Sequence, residues 1–177
     1  MRMISLPGIG GSDERHWQSH WEADSRHMHR FTPSSWDAPD FDDWSCALDR
    51  AASGERVVLV AHSLSCHLAV RWAQANTDRV KALFLVAPPD PVGEIFPAEA
   101  SSFATGWQVS VEVPSVIVAS TDDPYCAWHR SECLADEWGT TLIPVGPKGH
   151  LNSDSGLGAW PEGRNLLASF LAGVGSG

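Results

Sequence analysis

The sequence predicts an α/β protein: an open, three-layer, mostly parallel sheet of five or six strands with helices on both faces. Two observations lead there. Short apolar runs rich in Val, Ile and Leu recur along the chain, as in strands covered on both faces. Amphipathic stretches of helical length separate them, which implies βαβ units. The 177 residues suit one domain, expected over 1–172, with the glycine-rich 173–177 as a flexible tail.

The elements follow in order. A first strand is expected over 3–6, followed by the glycine-rich loop Leu6-Pro-Gly-Ile-Gly-Gly. A helix over 14–23 carries Trp17 and Trp21 four apart, on one face. A weak strand is expected near 28–31. A helix over 41–52 places Trp44, Leu48 and Ala51 at helical spacing. The apolar run 57–61 is a buried strand leading into a helix over 64–75, apolar along Leu64, Leu68, Ala69 and Trp72. Strands over 82–86, 116–120 and 141–145 and helices over 127–138 and 161–171 complete the pattern.

Composition narrows the function. Twelve Lys and Arg against 22 Asp and Glu give a net charge of −10, and no basic run appears, so nucleic acid is not an expected partner. No apolar run approaches the ~18 residues of a membrane span. The first residues do not read as a signal peptide, and cytoplasmic residence is expected. Monomer and homodimer both remain open. The four cysteines form no CxxC pair and are read as free thiols, although one disulfide stays open. Nine Trp suggest either large core plugs or a pocket rimmed by indoles.

The strongest local signal is Val57-Val-Leu-Val-Ala-His62-Ser63-Leu64-Ser65, a buried strand running into a helix with a serine at the turn. The nucleophile elbow of α/β-hydrolases reads G-x-S-x-G, where the tight turn needs small residues on either side. Ala61 and Ser65 replace the glycines here and are the next smallest choices. An elbow sets the hydroxyl at a helix N-terminus, where N–H groups favour developing negative charge. Ser63 alone reads equally well as a helix N-cap.

The rest of the chain decides between these readings. A nucleophilic serine needs a base, and the base needs an orienting acid. Asp122 and Asp123 stand just past the fourth of the main strands, and His150 stands just past the fifth. Ser63, an aspartate and His150 thus fall in hydrolase order and at strand ends, where open α/β sheets bind ligands. Spacing leaves Asp122 and Asp123 as alternatives. Leu64 N–H is expected at the oxyanion, with Ile9 N–H as second donor and Gly10 as its alternative.

These residues resemble the small serine hydrolases related to retinoblastoma-binding protein nine and the bacterial YdeN-type proteins. The resemblance runs over nearly the whole chain. It rests on Leu6-Pro-Gly-Ile-Gly-Gly, the segment Trp36-Asp-Ala-Pro-Asp-Phe-Asp-Asp-Trp44, His62-Ser-Leu64, Ser120-Thr-Asp-Asp-Pro-Tyr125 and Gly149-His150. It implies a compact α/β-hydrolase core with no large lid, and the aspartate before proline, Asp123, as the acid. Many relatives carry glycine at position 65. The resemblance implies a reaction type and not a substrate; from Ser63, His150 and Asp123 themselves, hydrolysis of a small ester, thioester or amide through an acyl-enzyme is expected, with no cofactor and no metal.

Other features read less sharply. His62, Gly10, Phe96 and Trp107 are expected to line the substrate pocket, with Phe103 near them. Trp36 and Trp44 read as anchors of a long connection more than as pocket walls. His16 and His20 have metal-ligand spacing, but no third ligand is evident, so solvated helix residues are the simpler reading. Cys66 is expected to be a buried structural thiol. The glycine-rich loop lacks the full dinucleotide signature G-x-G-x-x-G. The rival to an enzyme is a binding protein on a hydrolase scaffold, since folds do not fix functions.

Overall fold

The computed structural model describes residues 1–175. Six strands form one sheet in the order β2-β1-β3-β4-β5-β6. They are β1 (Met3–Leu6), β2 (Met28–Arg30), β3 (Val57–His62), β4 (Val80–Val86), β5 (Ser115–Ala119) and β6 (Thr141–Pro144). Every pairing is parallel. The weak strand signal is real and forms an edge of the sheet.

Among the described residues five α-helices cover the sheet: α1 (Trp17–Asp24), α2 (Phe41–Ala51), α3 (Ser65–Ala75), α4 (Trp128–Trp138) and α5 (Pro161–Val174). Side chains along β3 show why both faces must be covered. Val57, Leu59 and Ala61 join one core cluster with Trp44, Leu48, Leu68, Trp72, Leu134 and Trp138, so α2, α3 and α4 share that face. Val58 and Val60 join the other cluster with Trp17, Trp21, Trp160 and Leu167, which assigns α1 and α5 to the opposite face. All six residues of β3 are buried, as the two-residue period of a central strand requires.

The expected elements differ from the structure mainly at their ends. Helix α1 begins at Trp17, three residues later than the pattern suggested, because residues 11–16 are irregular and His16 is the residue that caps the helix. Helix α5 runs to Val174, so residues 173 and 174 of the expected tail are helical. Residues 176 and 177 lie outside the described residues. Trp17, Trp21, Trp44, Trp138 and Trp160 are nearly fully buried. These five are core plugs, whereas Trp36, Trp107 and Trp128 are only partly buried against the core. Gly163 is required by Trp160, since a Cβ there would sit 2.3 Å from the Trp160 ring.

All four cysteines are free. Cys66 and Cys126 are buried, Cys46 and Cys133 exposed. Among the described residues no helix is long and apolar enough to cross a membrane.

Candidate active site

The site forms where β3, β5 and β6 end. At the end of β3 the chain turns sharply, and Ser63 takes a φ of 55°, in the left-handed region that a non-glycine residue enters only at a cost. The turn is held by Ser63 N–H donating to Val86 C=O at 2.9 Å and Cys66 N–H donating to Ser63 C=O at 2.9 Å. A helix cap needs no such φ; a cap residue is ordinarily extended. The backbone at Ser63 is therefore that of an elbow.

Ser65 has its own task. Its hydroxyl donates to the Pro7 carbonyl at 2.5 Å, pinning the first turn of α3 to the loop after β1. Close approach continues next to it: a Cβ on Gly8 would lie 2.8 Å from the Ser63 Cβ. Glycine at position 8 lets the loop lie against the serine.

Ser63 Oγ is 2.8 Å from His150 Nε2. His150 Nδ1 is 3.0 and 2.9 Å from the two carboxylate oxygens of Asp123. The carboxylate only accepts, so Nδ1 carries a hydrogen, and in the neutral form of the ring Nε2 is the nitrogen that accepts from the serine hydroxyl. Both partners are shielded, their side chains 9% and 3% exposed. Asp123 also accepts the Tyr125 N–H at 2.9 Å, and the Tyr125 ring lies 4.5 Å from that of His150.

Asp122 does a different job. Its Oδ1 accepts from the Ser120 hydroxyl at 2.7 Å and from Gly149 N–H at 2.8 Å. Ser120 in turn accepts Lys148 N–H at 2.8 Å. Asp122 and Ser120 thus hold the loop that presents His150. The Ser120 hydroxyl and then the Gly149 N–H keep the Asp122 carboxyl below its ordinary pKa. Neither aspartate caps α4, whose N-cap is Ala127.

Among the described residues, neither the Leu64 N–H nor the Ile9 N–H meets an acceptor in the protein. Both residues line the cavity beside Ser63. The Gly10 N–H is occupied, donating to Trp36 C=O at 3.0 Å, which removes Gly10 as the alternative oxyanion donor. That bond also gives the Trp36–Trp44 segment its role. Trp44 is fully buried, its Nε1–H donates to Ser35 C=O, and Trp36 packs near Gly11. The segment braces the loop after β1.

The cavity over Ser63 has a volume of about 450 Å³. His62 and Gly10 line it, as expected from the sequence. Phe96 and Trp107 do not. Phe96 packs edge-on to His67, and Trp107 offers its carbonyl to Trp138 Nε1. Phe103 is fully buried against Trp44 and Phe41. Pro89, Pro97, Glu99 and Tyr125 form that wall instead. The segment after β4 lacks a regular period, so its sequence does not reveal which side chains turn inward.

The sequence also left His16 unread as a cavity residue. The reading of His16 as a solvated helix residue is overturned: it is 3% exposed and caps α1 by accepting Gln18 N–H at Nδ1. Burial pushes its imidazole down to about 4. Among the described residues no group of three or more His, Cys, Asp or Glu is placed to hold a metal. Gln18, fully buried, joins Ser12 to the Val60 carbonyl and so fixes the far end of the same loop.

A family model described as "Serine hydrolase" matches residues 3–169. The chain belongs to this serine hydrolase family. Its structure resembles that of a YdeN-like hydrolase from Pectobacterium atrosepticum, with 30% identity, 98% of this chain and 91% of that one covered, and a TM-score of 0.85. The ydeN gene product of B. subtilis shares the fold at 21% identity, with 97% and 100% covered and a TM-score of 0.77. Serine hydrolase RBBP9 of Rattus norvegicus is 29% identical over 104 residues, 56% of this chain. That match spans 55% of the rat protein, about half the length of this curated relative. The α/β-hydrolase fold expected of this serine hydrolase is thereby established.

Proposed function

We propose that this serine hydrolase cleaves a carboxylic ester, thioester or amide of a small substrate through an acyl-enzyme, with Ser63, His150 and Asp123 as its triad. The observation that carries the proposal is the hydrogen-bonded line from Ser63 Oγ through His150 to Asp123, mounted on an elbow with Ser63 in the left-handed region. In this reading Ser63 Oγ attacks the acyl carbon as His150 Nε2 takes the hydroxyl proton. The carbonyl π electrons move to oxygen, and Leu64 and Ile9 N–H groups receive the oxyanion, each donor worth roughly 3 kcal/mol. The tetrahedral intermediate then collapses. His150 delivers its proton to the departing alcohol, thiol or amine. Water, deprotonated by the same nitrogen, attacks the acyl-enzyme, and collapse releases the acid and restores Ser63.

Asp123 keeps Nδ1 protonated and stabilises the imidazolium without taking the proton. Among the described residues the cavity lining includes the carboxylates Asp13, which Arg15 pairs from outside the lining, and Glu99, and no Lys or Arg. Neutral or cationic substrates are favoured over acids, which such a rim repels. A cavity of about 450 Å³ suits a small-molecule substrate.

A fluorophosphonate probe tests the proposal. Labelling of the folded protein that vanishes in Ser63→Ala is expected. A folded protein that takes no probe would instead be a binding module on this scaffold.

A further inference from the structure

Two successive carbonyls of the turn that carries His150 are captured by ring N–H groups from two separate elements. His62 Nε2, at the end of β3, lies 2.9 Å from the His150 carbonyl oxygen. Trp17 Nε1, at the start of α1, donates to the Leu151 carbonyl at 2.9 Å. A carbonyl only accepts, so His62 Nε2 carries a hydrogen. Burial holds that imidazole neutral, well below its ordinary pKa, with neighbouring His16 and His150 adding to the effect. Its tautomer is therefore fixed, with the lone pair on Nδ1.

The turn needs such capture. Leu151 has a φ of 52°, an unfavourable conformation for leucine that persists only when its surroundings impose it. The side chain of Leu151 is fully buried. His16 packs against both capturing rings, 4.7 Å from His62 and 5.3 Å from Trp17 between centroids. His62 is also the residue before Ser63. A single dipeptide thus carries the nucleophile and grips the backbone of its base.

We propose that His62 and Trp17 are positioning residues for the general base, locking the 150–151 turn so that the His150 imidazole meets the Ser63 hydroxyl. The inference rests on the assignment of Ser63 and His150 made under the proposed function. A displaced imidazole loses catalysis without losing substrate binding, and Trp17, which is not part of the cavity lining, can be altered with the walls left in place.

The test compares the unaltered protein with His62→Leu, which removes the donor, His62→Gln, which keeps an N–H at similar reach, and Trp17→Phe, which keeps the ring and loses only the N–H. The substrate is p-nitrophenyl acetate. In His62→Leu and Trp17→Phe, kcat should fall roughly ten- to a hundred-fold, the scale of a small misplacement, and in Trp17→Phe, whose side chain is not part of the cavity lining, KM should stay unchanged. The downfield proton resonance of the His150–Asp123 hydrogen bond should broaden or vanish in both. His62→Gln should regain most of the rate and the resonance. The inference is overturned if folded His62→Leu and Trp17→Phe keep the original kcat and resonance, or if Gln serves no better than Leu. Should His62→Leu fail to fold, Trp17→Phe decides alone. An unaltered protein that neither turns over ester nor takes a fluorophosphonate overturns the serine hydrolysis reading and this inference together; an active protein with equally active variants overturns this inference only.

Discussion

Asp122 and Asp123 are adjacent carboxylates with divided tasks. Asp123 grips the His150 ring, while Asp122 grips the backbone of its loop through Gly149. Asp123→Asn should cost far more activity than Asp122→Ala, because an amide disturbs the tautomer of His150; losses on the order of 10⁴-fold are known for such a change. Asp122→Ala should lower kcat more modestly and loosen the 146–150 loop. Steady-state kinetics on both variants checks this, and equal losses would show that the two carboxylates are not so divided. The pH dependence of Asp122 has a definite sign. Its carboxyl is depressed in the fold, so its contribution is complete above the ordinary carboxylate range and disappears as pH falls through the lowered pKa.

At the scale of the element, the strand–elbow–helix unit shows what the sequence reveals. The run 57–61 is legible as a strand because it is unbroken apolar sequence, and the structure extends it to His62 with all six residues buried; the order of Ser63, Asp123 and His150 is legible because hydrolase topology puts them at strand ends. The purpose of Ser65 is not legible locally. It answers to Pro7, 58 residues away. Ser65→Ala should leave the Pro7 carbonyl without this partner and destabilise the protein by about 1–3 kcal/mol, the usual cost of an orphaned buried acceptor. Urea midpoints at constant slope measure it; an unchanged midpoint would mean that the bond contributes nothing. Gly8→Ala should abolish probe labelling at Ser63 even if the protein folds, since the added Cβ would lie 2.8 Å from the Ser63 Cβ. The walls after β4 escape sequence reading for a related reason. Packing between distant elements decides which side chains of that irregular segment face the cavity, so Pro97 and Glu99 line it and Phe96 does not.

Across the whole molecule, two apolar faces of one parallel sheet explain most of the pattern that the residues announce, while buried imidazoles supply a property that they conceal. Burial pushes His16 and His67 down to about 4, and His62 well below its ordinary value. These rings are neutral in the fold, whereas the unfolded chain takes up protons below about 6.5. Their stabilisation is therefore complete above that pH and declines as pH drops from about 6.5 towards 4, by up to about 1.4 kcal/mol per pH unit for each ring. His67 lies outside the cavity and donates through Nε2 to the Pro89 carbonyl. His67→Gln keeps a donor and removes a titrating ring, so its unfolding free energy should fall less steeply between pH 6.5 and 4. A slope identical to that of the unaltered protein would contradict the assignment of this acid sensitivity to buried histidines.

The nucleophile itself gives the most direct measurement. The protein is mixed with a p-nitrophenyl ester, quenched in acid within the first turnover, digested and analysed by mass spectrometry. The acyl group should be found on the peptide containing Ser63, and Ser63→Ala should show neither the adduct nor turnover. An adduct on another residue, or ester hydrolysis undiminished in Ser63→Ala, would contradict the account.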